Sequence, residues 1–108
     1  MHKSSQIEVE MVFLTKAEGG REQPPFLTPP GSYRPHFVAG DGDYYAMIFE
    51  VAPESVQAQV PFTATLSLVY YPRVAYTPFI PGAEFTVREG ARVVGRGRVT
   101  KRLYDPVA

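Results

Sequence analysis

The stretch FTVREGARVVGRGRVTKRL, residues 85–103, reads as two strands folded back on a tight turn. Phe85 and Val87 alternate with Thr86 and Arg88, Glu89-Gly90 interrupts the run, and an alternating pattern resumes towards Leu103. A period of two describes a strand with unlike faces, and a glycine at the break gives the backbone the freedom a hairpin requires. The pattern predicts strands over 83–88 and 91–103. Parity in the second strand puts Val93, Gly95, Gly97, Val99 and Leu103 on one face with Lys101, and Arg92, Val94, Arg96, Arg98, Thr100 and Arg102 on the other. Alternate residues rise about 6.6 Å, roughly the spacing of successive phosphates on a nucleic-acid strand. Three readings of such an arginine face stand open: a solvated face that guards a strand against edge pairing, a stripe that meets phosphates, or a surface for an acidic protein.

Strand periodicity extends outward from this hairpin. Residues 61–71 alternate Phe62, Ala64, Leu66, Leu68 and Tyr70 with Thr63, Thr65, Ser67, Val69 and Tyr71; Ile7, Val9, Met11 and Phe13 alternate with Glu8 and Glu10. The glycines of EGGR, residues 18–21, predict a turn after the first strand. A proline-rich loop over 24–31 leads to a strand over 33–39, and AGDGD, residues 39–43, reads as a tight turn into a strand over 44–51. Residues 52–60 hold no lasting helical period and read as loop. Six strands at short spacing predict an all-β closed antiparallel barrel or a small sandwich.

Composition bounds what such a chain does. Its 108 residues suit one domain with a single core, and 44% hydrophobic content excludes the disordered class. No apolar run approaches a membrane span, and no apolar segment of secretory type follows MHKSSQIEVE, so the expected location is cytoplasmic. There is no cysteine, hence neither a disulfide nor a thiolate metal site, and His2 and His36 are too few and too far apart in sequence to suggest another metal site. Asp41 and Asp43 lack the ligand spacing of a calcium loop, and Ser32, Tyr33 and His36 form no recognisable nucleophile and base. The zero formal net charge conceals an uneven distribution: residues 1–60 hold eight acids against four bases, and residues 61–108 hold seven bases against three acids. A split of this kind can build a basic face on a neutral molecule.

Four anchors in order carry a resemblance that covers about 7–103: the first strand running into EGGR (18–21), YRPHF (33–37), LVYYP (68–72), and FTVREGARVVGRG (85–97) followed by Thr100 to Leu103. In these the chain resembles the C-terminal, third domain of bacterial elongation factor Tu. The resemblance implies a six-stranded antiparallel β-barrel. In that family the domain is a binding unit that touches the tRNA T-stem, packs on a GTPase domain and meets an exchange factor. This chain has no GxxxxGK[ST] loop, so the expectation is a module without GTPase activity, bound nucleotide, cofactor or metal.

Position by position, Arg21, Glu89 and Gly90 match family residues that approach the RNA backbone, whereas Glu22, His36, Tyr45 and Tyr71 depart from the family's usual residues. The family's proline-glycine-aspartate turn is absent before the long apolar strand. The loop over 72–82 is longer and gains Tyr76, Pro78, Phe79 and Pro81, which either cap a barrel end or meet a protein. Arg96, Arg98 and Arg102 stand where the family is mostly small or apolar. Two functions are expected. The first is an RNA-binding module, for a tRNA-like stem, using Arg21, His36, Arg88, Glu89, Gly90, Arg96, Arg98 and Arg102. The second is a protein-interaction or regulatory module that has lost tRNA binding, with Tyr76 and Phe79 as contact residues.

Overall fold

The computed structural model describes residues 6–103 and is a closed antiparallel barrel of six strands. They are β1 (Gln6–Phe13), β2 (His36–Val38), β3 (Tyr44–Val51), β4 (Phe62–Leu68), β5 (Glu84–Glu89) and β6 (Arg92–Leu103), in the spatial order β1-β4-β3-β2-β5-β6. Closure gives every strand two hydrogen-bonded neighbours, so no sheet edge is left open. The sandwich alternative is thereby eliminated. His2, weighed above as a metal ligand, lies outside the described residues.

Alternation builds the interior. Ile7, Val9, Met11 and Phe13 of β1 meet Phe37, Met47, Phe49, Leu66, Leu68, Phe85 and Val87 in one buried cluster. Side chains fill a barrel of this size, and Leu27, Tyr76 and Phe79 enter the same cluster from loops. The β5–β6 connection is a two-residue turn, Gly90-Ala91, between the paired residues Glu89 and Arg92. Gly90 has φ +63° and Ala91 is not in the left-handed region, as a type II′ turn requires. EGGR differs slightly from expectation. A short 3-10 turn, Lys16–Glu18, is capped by Thr15 and closed by Gly19 at φ +95°, because Glu18 returns to the Thr15 amide.

Two bulges overturn the expected parity of β6. Val87 pairs with Gly95 and Arg88 with Val93, which leaves Val94 extra; Val9 pairs with Val99 and Glu8 with Lys101, which leaves Thr100 extra. Each extra residue shifts the side chains beyond it relative to the barrel. Val94, expected among the arginines, is instead wholly buried in the core. Arg102, beyond the second bulge, turns to the barrel end, where its Nη1 donates to the carbonyls of Tyr76 at 3.1 Å and Phe79 at 3.3 Å. Its Nη2 donates to the Ala75 carbonyl at 3.2 Å, and the guanidinium lies over the Tyr71 ring. Arg102 therefore ties down the 71–79 loop instead of joining a phosphate-facing stripe. Hydrogen bonds from a charged donor contribute about 1.5–3 kcal/mol. Arg102→Ala is accordingly expected to cost about 2 kcal/mol and to accelerate amide exchange across 71–80, measured by hydrogen-exchange mass spectrometry.

The same loop corrects a second expectation. Tyr76 is 1% exposed and Phe79 0%, so neither presents a surface to a partner. Tyr76 Oη accepts from the Tyr70 amide and donates to the Ala46 carbonyl, while both rings pack on Tyr45. These contacts hold Tyr76 at φ +55°, an uncommon conformation for a residue with a side chain. The exposed large apolar residue of the loop is Ile80.

Candidate functional site

The four arginines expected on one face occupy three places. Only Arg96 and Arg98 share the outer surface of β6; Arg92 belongs to the β5–β6 turn, and Arg102 to the barrel end. Each place has its own chemistry.

The outer faces of β1, β2, β5 and β6 form an open groove of about 790 Å³. Val12, Val38, Ala39 and Pro61 contribute apolar lining, with Thr86 beside them. Arg88, Arg96 and Arg98 supply the cations, and Glu10 and Glu84 the acids. Register accounts for the pattern. Arg96 faces Val12 on one side and Thr86 on the other, whereas Arg98 faces Glu10 and Glu84. Arg98 makes a 3.6 Å ion pair with Glu10, exposed enough to contribute little to stability. Arg88 Nε donates to Thr86 Oγ1 at 3.0 Å, and its guanidinium lies over the Tyr44 ring. Arg96 makes no hydrogen bond or ion pair among the described residues, and Glu18 acts on it only through its charge. An exposed guanidinium beside apolar lining is a ready partner for a carboxylate or a phosphate.

At the β5–β6 turn the structure brings Arg21, Glu89 and Gly90 together, with Tyr33 and Arg92 beside them. Arg21 Nη1 and Tyr33 Oη each donate to Glu89 Oε2 at 2.6 Å, and the Arg21 guanidinium lies over the Tyr33 ring. Burial alone would push the Glu89 carboxyl up. The donors Tyr33 and Arg21, with the charges of Arg21 and Arg92, outweigh it and hold the group below its ordinary value of 4.5. Burial first, and then the bond to Glu89, drives the Tyr33 hydroxyl up. Arg21 and Glu89 thus satisfy each other and, with Tyr33, fasten the proline-rich loop to the barrel. A folded-state pKa below the unfolded one stabilises the protein above about pH 4.5, and that contribution fades as pH falls through the folded value. Glu89→Gln should therefore be less stable than the parent at neutral pH, with the gap narrowing as the pH falls below about 4.5 in urea titrations.

His36 pairs with Arg88 in register and packs its ring against Tyr44, so it lies beside the groove and not at the β5–β6 turn. Ser32 Oγ donates to the Pro29 carbonyl, Tyr33 to Glu89, and His36 meets neither. Among the described residues no helix is long and apolar enough to cross a membrane. Tyr44 was not among the expected site residues, although its position on the outward parity of β3 was readable from the sequence. No protein-family model matches the chain.

Proposed function

We propose that this chain is a non-catalytic binding barrel, a relative of the third domain of elongation factor Tu, that docks a protein partner in the groove on β1, β2, β5 and β6. The closed six-stranded antiparallel topology agrees with that kinship. One observation carries the choice of partner: the groove combines apolar lining with interleaved charges of both signs. Protein surfaces meet through such a mixture, with apolar contact giving affinity and charge giving register. A nucleic-acid backbone instead favours cations without intervening carboxylates. Here Arg98 is flanked by Glu10 and Glu84, Arg21 is engaged by Glu89, and Arg102 holds its loop.

The RNA reading keeps Arg88 and Arg96 as phosphate contacts, with Arg92 of the β5–β6 turn added to them, and is separated by experiment. A pull-down from the native cell, with and without nuclease, should retain a nuclease-resistant protein on the parent chain and lose it on Arg96→Glu. Retention that disappears with nuclease would favour RNA. So would saturable binding of bulk tRNA with a log–log salt slope of about −2 to −3, the value for roughly three neutralised phosphates.

A further inference from the structure

A second concave surface lies on β2 and β3 beside the 70–76 loop. It encloses about 490 Å³ and is lined by His36, Asp43, Tyr44, Tyr45, Ala46, Tyr70, Val74 and Tyr76. Tyr45 and Tyr76 are committed to the barrel end, since the Tyr45 hydroxyl donates to Asp41 and that of Tyr76 to the Ala46 carbonyl. Tyr44 and Tyr70 are different, being 46% and 53% exposed. Neither of their hydroxyls has a hydrogen-bond partner among the described residues. Ala46 follows Tyr44 on the outward face of β3, and Tyr76 Oη links its carbonyl to the Tyr70 amide. A small residue beside two large rings leaves a slot instead of a filled surface. Asp43 closes one end, and its carboxylate makes no hydrogen bond or ion pair among the described residues.

We propose that this slot binds a proline-rich segment in the polyproline II conformation, carrying a basic residue that reaches Asp43. Three features select that occupant. A closed barrel offers no sheet edge, so an extended peptide cannot be bound by strand addition, and recognition falls to side chains. A polyproline II segment has no internal hydrogen bonds, and its free carbonyls suit the hydroxyl donors of Tyr44 and Tyr70, while a prolyl ring lies on the face of Tyr70, the Tyr44 ring already facing Arg88 and His36. The Asp43 carboxylate in the slot's lining favours a cationic flank and opposes a phosphate backbone, although tyrosines would also stack on bases.

The probe is the octapeptide Arg-Pro-Pro-Leu-Pro-Pro-Leu-Pro, followed by nitrogen-15 NMR on the full chain, with a control peptide in which every proline is alanine. The proposal expects saturable shifts centred on the amides of Tyr44, Ala46, Tyr70 and Val74, and much weaker binding of the control. Tyr44→Ala and Tyr70→Ala are each expected to weaken binding by about tenfold or more, as aromatic anchors do. Both side chains are half-exposed, so the variants should keep the parent's spectrum elsewhere. Asp43→Asn is expected to weaken the arginine peptide by about threefold and to leave a peptide without arginine unchanged. Absence of saturation at millimolar peptide, equal binding of the control, or unchanged affinity in both tyrosine variants would overturn it. So would oligouridine binding the same amides more tightly than the peptide. Shifts of those amides on concentrating the protein alone, the sign of a second copy in the slot, would overturn it as well.

Discussion

Gly97→Ala should lower the thermal midpoint by roughly 15 °C, a larger loss than any substitution on the outer surface. A Cβ built on Gly97 would stand 2.6 Å from Met11 Cβ, 2.7 Å from the Glu10 carbonyl oxygen and 2.7 Å from Phe85 Cζ. One of those atoms is backbone, held in the β1–β6 ladder, and cannot swing aside as a side chain can. Overpacking of a tight core costs about 1–3 kcal/mol, and a clash with a strand backbone belongs at the upper end. For a domain of this size each kcal/mol shifts the midpoint by roughly 4–8 °C. Gly40→Ala is the matching control, because a Cβ there meets nothing within 4 Å and the residue is not left-handed. It should melt with the parent in the same calorimetric scan. A small effect at Gly97 would mean that β1 and β6 are farther apart than this register places them.

Phe79→Ala should cost about 3–5 kcal/mol, the range for deleting a buried aromatic ring. The ring is wholly buried and packs on Tyr45 at 5.0 Å and Phe85 at 6.2 Å between centroids, so its removal leaves a void where a loop closes the barrel. Denaturant titration distinguishes this from the contact role expected for Phe79. A contact residue would be lost with little change in stability and a loss of binding, whereas a plug residue destabilises the whole domain. Ile80→Ala, at the outward neighbour, should shift the denaturation midpoint very little.

The barrel was readable because period-two alternation marks β1, β4, β5 and β3 as far as its bulge at Glu50, and each turn is marked by glycine, proline or aspartate. The strand from 44 to 51 was placed to the residue. β6 was misread in two places because a bulge leaves no composition signature: Val94 and Thr100 look like ordinary members of an alternating run. In retrospect the glycines of GRGR explain the run better than the arginines do. Gly95 and Gly97 sit where the barrel wall passes closest to Met11, Val12 and Phe13, and a side chain there would collide.

Site residues were less legible than strands, since parity says which way a side chain leaves a strand but not what it meets. Arg21 and Glu89 are 68 residues apart, and only the folded chain shows that they neutralise one another. Tyr76 and Phe79 stood open between capping a barrel end and meeting a protein, because a loop that plugs a barrel end has the composition of a contact surface. Phe26, at 75% exposure in the proline-rich loop, is the more exposed aromatic ring.

Photocrosslinking from the floor of the groove asks whether a protein partner sits there. Thr86, between Arg96 and Val38 in register, is replaced by a benzophenone-bearing amino acid and the protein irradiated in its native cell. A protein docked in the groove gives a discrete adduct that resists nuclease, yields to protease, and is absent when the same group is placed at exposed Val51 on β3. An adduct that nuclease removes, or the same adducts from both positions, would contradict that docking.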